Sequence, residues 1–274
     1  MKQPDMNKLR LGTSAWSNQS WVGVFYPVGT KPADYLARYA EKFDCVEIDS
    51  TFYRAPTAAL IKKWAGDTPA GFQFAAKVPQ RITHEKVLVD CREELSYFLR
   101  AMDGLDDKLG PLLLQFPYFN KSVFPSGKEF LERLRPFLNT LPRAYRWAVE
   151  IRNKSWIQTP FLDLLRENRI AFTLIDQSWM PAIDQILKAH DPLTADFVYL
   201  RWLGDRKGIE EITTSWGKVV VDRTRDLERW VQPVRSFLPK VQVVYGFFNN
   251  HYSGHAPASL EQFRSLLAEN PPAF

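Results

Sequence analysis

The sequence predicts an α/β fold, a single (β/α)8 TIM barrel built on a parallel, eight-stranded sheet. Short apolar runs alternate along the whole chain with longer stretches whose apolar residues recur at helical spacing. About eight such strand–helix units follow one another at intervals of roughly 35 residues, which is close to the size of one βα repeat. Regular alternation of this kind indicates parallel strands covered by helices.

Most of the apolar runs predicted as strands end in a charged or amide residue or directly beside one. In chain order they are residues 9–13, 45–49, 72–78, 112–115, 147–151, 171–176, 197–201 and 241–248. Helical spacing predicts helices over residues 32–43, 58–64, 93–105, 130–138, 161–167, 227–238 and 259–267. The sixth and seventh units are predicted to be irregular, with one short helix near residues 183–188 and a polar loop over residues 204–221.

Length and composition favour one globular domain. A chain of 274 residues suits one barrel, and no stretch rich in Gly, Ser or charge divides it. We therefore predict a single domain over residues 1–274. The composition, 45% hydrophobic and 24% charged, excludes a disordered or collagen-like chain. No Gly-x-Gly-x-x-Gly follows the first strand, which argues against an open dinucleotide-binding sheet.

Net charge and cysteine content indicate the binding partners and the cellular location less specifically than length and composition indicate the domain organisation. The net charge of +5 is compatible with nucleic acid or phosphorylated partners, and equally with an ordinary solvated surface. The two cysteines, Cys45 and Cys91, match no zinc spacing and fit a reducing compartment. Residues 1–10 lack the apolar run of a signal peptide, and no run approaches the roughly 20 apolar residues of a membrane span. We expect a cytoplasmic protein that does not contact membranes.

Residues 47–53 show how polar groups gather at the end of a strand. They follow the apolar start of the second strand and lead into a polar, aromatic loop. Alternate side chains of a strand share a face, so Cys45, Glu47 and Asp49 point to one side. Two carboxylates on one face of an apolar strand are costly to bury unless they are paired. The stretch therefore indicates either a functional site or a fixed ion pair.

The carboxyl ends of all strands of such a barrel meet at one mouth, where catalytic residues lie. From the strand ends and the loops that follow them, the candidate catalytic residues are Glu47, Glu150, Asp176 and His84. The candidate substrate-binding residues are Lys77, Arg152, Arg201, Gln115, Asn249, Tyr53, Trp156 and Trp16. Arginine suits carboxylates and phosphates, and tryptophan suits sugars or bases, so the set predicts a small anionic or sugar-like ligand. An alternative is that Glu47 and Glu150 pair with cations only to hold the mouth together.

A metal is compatible with the sequence but is not required by it. His and carboxylate ligands are available in His84, His251, His255, Glu47, Glu150 and Asp176. Their spacing matches no zinc motif, whereas magnesium needs only one or two carboxylates. We assign no cofactor and no oligomeric state from the sequence.

The chain resembles the family called domain of unknown function 72, or YecE-like, over nearly its whole length. The resemblance lies in residues 12–14, 21–27, 47–53, 74–79, 82–84, 109–111, 150–152, 155–156, 199–201 and 248–250, with Trp16, Gln115, Pro117, Gly254 and Ala256. It implies a TIM barrel with a site at the strand ends, but the family has no settled activity, and a fold alone does not supply one.

Two positions depart from the family pattern. Ala15 stands where many members have Gly, and Leu203 stands where many members have His after the seventh strand. Since leucine cannot exchange a proton, any acid–base group of this chain must lie elsewhere in the mouth.

Three functional hypotheses follow. In the first, the protein is an enzyme, a hydrolase, isomerase or lyase, in which Arg201, Arg152 and Lys77 hold an anionic or sugar-like substrate. Glu150 or Glu47 then acts as general acid or base. In the second, an endonuclease-like or nucleic-acid-binding barrel stacks its aromatic loops on an extruded base. In the third, the pocket is a sensor that binds a ligand without turnover.

Overall fold

The computed structural model describes residues 5–269, in which eight parallel strands form a nearly closed barrel with helices around it. This confirms the predicted fold class. The strands are β1 Leu9–Thr13, β2 Cys45–Ile48, β3 Gln73–Lys77, β4 Leu109–Gln115, β5 Trp147–Glu150, β6 Ala171–Gln177, β7 Phe197–Gly204 and β8 Val243–Phe248. The predicted single domain also includes residues 1–4 and 270–274, which lie outside the described residues.

Helices follow the strands and pack on the outside of the barrel. They are α1 Tyr35–Ala40, α2 Ala58–Gly66, α3 Arg92–Met102, α4 Gly127–Thr140, α5 Thr159–Glu167, α6 Ile183–Ala189, α7 Arg206–Ile212, α8 Thr224–Phe237 and α9 Ala256–Glu269. No helix within residues 5–269 is long and apolar enough to cross a membrane.

The seventh unit differs from its prediction as a polar loop. Part of residues 204–221 forms α7, in which Ile209 is the buried residue. The side chain of Asp205 accepts a hydrogen bond from the backbone N–H of Gly208 and so caps this helix. A short helix with so little buried apolar surface has no clear hydrophobic period, which is why the sequence pattern missed it.

Side chains of the strands alternate between two apolar layers. The layer inside the barrel is made of Cys45, Ala75, Leu113, Ala148, Ala171, Phe197, Tyr199, Val243, Tyr245 and Phe247. The larger layer lies between strands and helices and takes the alternate residues, such as Val46 and Ile48 of β2. Above the inner layer, at the carboxyl ends of the strands, apolar side chains give way to charged ones.

The seam between β1 and β2 is joined by a tyrosine hydroxyl. Within the described sheet β1 pairs with β8, from Leu9 opposite Val244 onward, and β2 pairs with β3. The hydroxyl of Tyr39, in α1, accepts a hydrogen bond from the backbone N–H of Thr13 at 2.8 Å. It donates one to the carbonyl of Cys45 at 3.0 Å. The Thr13 side chain bonds the same hydroxyl and therefore faces the helices, not the mouth.

Candidate functional site

Four charged side chains form a closed network at the mouth, which we call the ion cluster: Glu47, Glu150, Arg152 and Arg201. They come from the ends of β2, β5 and β7. Arg201 donates from Nη2 to Glu47 at 2.7 Å and from Nη1 to Glu150 at 2.8 Å. Tyr199 donates its hydroxyl to the second oxygen of Glu47 at 2.6 Å. Arg152 holds the second oxygen of Glu150 through Nε at 2.7 Å and Nη2 at 2.5 Å.

In this cluster burial and the neighbouring charges shift the pKa values of Glu150 and Arg201 in opposite directions, and the effect of the charges is the larger. Burial alone would raise the pKa of Glu150, but the guanidinium groups of Arg152 and Arg201 lower it to about 2. The pKa of Arg201 lies well above its usual value, because Glu47 and Glu150 outweigh the effect of its burial. Two carboxylates thus face two guanidinium groups, and the cluster is balanced in charge.

The two glutamates of the cluster have no solvent-exposed surface. The relative exposure of Glu47 and of Glu150 is 0%, and the side chain of Arg201 is 4% exposed. A ligand at the mouth therefore meets other groups first. In this conformation the carboxylates of Glu47 and Glu150 accept hydrogen bonds from the two arginines and fix their orientation.

A second, more accessible group lies beside the cluster at the ends of β2 and β3. Lys77 contacts Asp49 with an Nζ–Oδ1 distance of 3.2 Å, and its ammonium lies 3.9 Å from the centre of the Phe52 ring. The Asp49 side chain is 36% exposed. The ring of His84 packs edge-on against Phe52 at 4.8 Å. We call Asp49, Phe52, Lys77 and His84 the outer group.

Charge and burial make His84 a neutral base at physiological pH. Burial lowers its pKa to about 4, and the positive charges of Lys77 and Arg152 add to that effect. Nδ1 of His84 shares a hydrogen bond with the hydroxyl of Thr83 at 2.8 Å. An uncharged imidazole next to a lysine and a carboxylate can take up or return a proton during a reaction.

Comparisons with known proteins concern the family and the fold of this chain. A family model described as Protein of unknown function DUF72 matches residues 10–273. The chain belongs to the DUF72 family. YecE of Escherichia coli K12 is 31% identical over 143 residues, which is 52% of this DUF72 chain and 48% of YecE, so the match spans about half of that relative. YunF of Bacillus subtilis is 25% identical over 278 residues and 94% of both chains.

A solved structure of a DUF72 family protein from Thermotoga maritima has the same fold. It superposes on this DUF72 chain with a TM-score of 0.74 and 29% sequence identity, over 95% of this chain and 99% of that one.

The remaining candidate residues of the DUF72 chain are dispersed. Asp176 lies on the opposite face of β6, where it accepts hydrogen bonds from Trp230 at 2.9 Å and Tyr252 at 3.1 Å. Burial raises its pKa. The next residue, Gln177, accepts a hydrogen bond from Arg152 and so extends the ion cluster. No signal in the sequence singled out Gln177, because both faces of β6 are buried and its apolar run does not show which side chains point inward.

The polar candidates at the ends of β4 and β8 bond within their own loops. Gln115 donates to the carbonyl of Phe116 at 2.6 Å. Asn249 accepts from the backbone and the ring of His251, and that ring also contacts Glu210 at 3.0 Å. Both residues therefore shape the rim of the mouth.

The aromatic candidates have different surroundings. Tyr53 is 70% exposed and packs edge-on against Phe52 of the outer group at 5.2 Å. Trp16 packs edge-on against Trp64 at 5.3 Å, and Trp156 stacks on Phe130 at 5.0 Å, so both belong to the layer under the helices.

The two residues that depart from the family pattern, Leu203 and Ala15, differ in their exposure to solvent. Leu203 is buried near the carboxyl end of β7, whereas Ala15 is exposed in the loop after β1.

Across residues 5–269, no three side chains of the types His, Cys, Asp and Glu are grouped as metal ligands. His84, His251 and His255 are therefore not assembled with the predicted carboxylates.

The ion cluster makes stability depend on pH in a defined direction. The pKa of Glu150 falls from 4.5 to about 2 on folding, so its stabilising effect is complete above the unfolded pKa and is lost as the pH falls toward 2. We expect the free energy of unfolding to decline from about pH 5 downward, and the slope to be smaller in Glu150→Gln. Urea unfolding at a series of pH values measures both.

Glu94 provides the matched control for that experiment. Hydrogen bonds from Lys86 and Arg81 also lower its pKa, but its side chain is partly exposed, so solvent weakens the effect of the two cations and keeps the shift small. Solvent screens such a group, so Glu94→Gln should leave the slope nearly unchanged. Equal slopes for the two variants would contradict the assignment of the acid sensitivity to the cluster.

Proposed function

We propose that this DUF72 protein is an enzyme that acts on a small sugar-like or anionic substrate at the mouth of the barrel, by proton transfer through the outer group. The observation that carries the proposal is the pairing of Lys77 with Asp49, with the neutral His84 packed on the same Phe52 ring as Lys77 and the charges of the ion cluster near enough to shift the pKa of both. Acid, base and cation are thus held together where the fold places active sites.

The burial of the ion cluster supports a functional role. Ion pairs as buried as those of Arg201 stabilise a fold no better than apolar residues of the same size, because desolvation offsets their attraction. What they supply is fixed geometry. Glu150 holds Arg152 against Gln177, which aims the partly exposed guanidinium of Arg152 at the mouth. A hydroxyl, carboxylate or phosphate of a substrate can meet it there.

The glutamates take a different role in this proposal from the one their sequence positions suggest. Glu47 and Glu150 act as positioning residues, while Asp49, Lys77 and His84 exchange protons with the substrate. The reaction class that fits such a set is isomerisation or lyase chemistry next to a carbonyl, with hydrolysis as the alternative. The two unpaired, buried cysteines also support a reducing, cytoplasmic location.

The proposal is tested by thermal unfolding with a panel of fructose, ribose 5-phosphate, gluconate, AMP and a short DNA duplex. A ligand at 100 times its dissociation constant stabilises the native state by about 2.7 kcal/mol, which shifts the melting temperature measurably. We expect at least one sugar, sugar phosphate or sugar acid to shift the wild type and not Asp49→Asn.

Asp67 supplies the control, since it pairs with Lys63 at 2.6 Å at the carboxyl end of α2 and belongs to neither the ion cluster nor the outer group. Asp67→Asn should respond like the wild type. A panel in which no small molecule acts, or in which Asp49→Asn responds fully, contradicts the proposal. A shift with the duplex alone, removed by salt, would replace it with the nucleic-acid hypothesis.

A further inference from the structure

Lys77 differs from the structural lysines of this protein in its lack of acceptors. Lys108 donates to the carbonyls of Ala65 and Thr68 at 2.6 and 2.7 Å and to the Thr68 hydroxyl at 3.1 Å, which satisfies all three of its N–H groups. Among the described residues, Lys77 has one acceptor, Asp49, at 3.2 Å. Its other near neighbour is the face of the Phe52 ring.

The position of Lys77 combines burial with access. It is the last residue of β3, and its side chain is 10% exposed, so the amine lies just below the surface of the mouth. The strand end is held firmly, because the Thr51 hydroxyl donates to the carbonyls of Ile48 and Lys77 at 2.8 and 2.7 Å. Lys77 is therefore fixed in place, with a small part of its side chain exposed.

Burial shifts Lys77 towards the uncharged amine. Burial is the largest effect and lowers its pKa, the charge of Arg201 lowers it further, and Asp49, Glu150 and Glu47 partly oppose the change. His84, which also belongs to the outer group, is neutral at pH 7 and so adds no charge beside Lys77. Each unit by which the pKa of a lysine falls raises its unprotonated fraction at pH 7 about tenfold.

We propose that the Lys77 amine forms a covalent imine with the carbonyl carbon of an aldehyde or ketone substrate. This inference rests on the proposed function and names the substrate class, a small carbonyl compound such as an open-chain sugar or a keto acid. Lysine is the side chain that forms imines with carbonyl substrates when burial and neighbouring cations leave it unprotonated.

The outer group can balance the protons of this step. Asp49 accepts a proton from the Lys77 ammonium, and the free amine attacks the carbonyl carbon. The carbonyl electron pair passes to oxygen, which takes a proton from the nitrogen to give a carbinolamine. Asp49 then returns its proton to the hydroxyl group, water leaves, and a protonated imine remains on Nζ. The sum is one ammonium and one carbonyl converted to one iminium and one water.

Reductive trapping tests the inference on the intact protein. The wild type is incubated at pH 7 with glycolaldehyde or pyruvate and sodium cyanoborohydride, and peptide mass spectrometry locates the reduced adducts. We expect Lys77 to be labelled at least about tenfold faster than Lys128, whose side chain is 80% exposed. The rate at Lys77 should also rise with pH to a midpoint below that of the surface lysines.

One variant and the ligand panel separate this inference from the proposed function. Lys77→Arg keeps a cation beside Asp49 but has no nucleophilic amine, so adducts at this position should vanish while surface labelling continues. Ligand stabilisation by a sugar or sugar acid without preferential labelling of Lys77 overturns the imine and leaves the proposed function standing. Preferential labelling that persists when no ligand of the panel stabilises the protein supports the imine and contradicts the broader substrate proposal. Even labelling of all lysines overturns the inference in either case.

Discussion

Replacing Arg201 with leucine is expected to lower the free energy of unfolding by about 3–5 kcal/mol, since it removes the shared partner of two buried carboxylates. Glu47 would keep only the Tyr199 hydroxyl and Glu150 only Arg152. Both acids are fully buried, so water cannot replace the lost guanidinium. Guanidinium chloride unfolding at pH 7 measures the loss.

Arg135 is a control with the same contact distance and a different environment. It pairs with Glu167 at 2.8 Å, and the two side chains are 53% and 57% exposed. Exposed pairs contribute about 0–1 kcal/mol, so Arg135→Leu should change the stability little. Equal free energies of unfolding for Arg201→Leu and Arg135→Leu would contradict the predicted energetic effect of burying the ion cluster.

Replacing Gly12 with alanine is expected to destabilise the barrel by at least about 3 kcal/mol, the upper part of the range for overpacked sites. A Cβ at this position would lie 2.1 Å from the carbonyl oxygen of Cys45 and 2.8 Å from its carbon. Both are backbone atoms of β2, so no rotamer change relieves the contact. The substitution forces β1 and β2 apart and pulls Tyr39 out of the seam.

Gly66 is the matched control for that substitution. It is the last residue of α2, and a Cβ there meets no atom within 4 Å. Gly66→Ala should stabilise the protein by about 0.4–1 kcal/mol, because alanine has less conformational freedom in the unfolded chain. Thermal unfolding of both variants decides the matter. A stable Gly12→Ala would show that the two strands can separate without penalty.

The architecture could be predicted from the sequence because each strand is a local apolar run with a polar end. The inward position of Glu47 follows from its alternation with Cys45, and that of Arg201 from its alternation with Tyr199. The parity of β6 could not be predicted, because parallel strands bury both faces and read as continuous apolar runs. Because of that ambiguity we predicted Asp176 at the mouth and did not predict Gln177.

The exposure of the site residues depends on distant parts of the chain. Tyr199 and Glu47 are separated by 152 residues, and their hydrogen bond is set by how the barrel closes. Such contacts leave no periodic signal, so the sequence could name the charged residues but not order them by depth. The same limit applies to Trp16 and Trp156, whose rings suit a ligand platform and an apolar layer equally well.

The seam at Tyr39 has a consequence for the synthesis of the chain. The first strand leaves the ribosome early, yet its sheet partner is β8, which lies more than two hundred residues later in the sequence. Until then Tyr39 is the neighbour that can hold Thr13 in place. During synthesis β1 therefore lacks its sheet partner until β8 has been made. A chain stopped before residue 243 should leave the backbone of β1 accessible to proteases and chaperones.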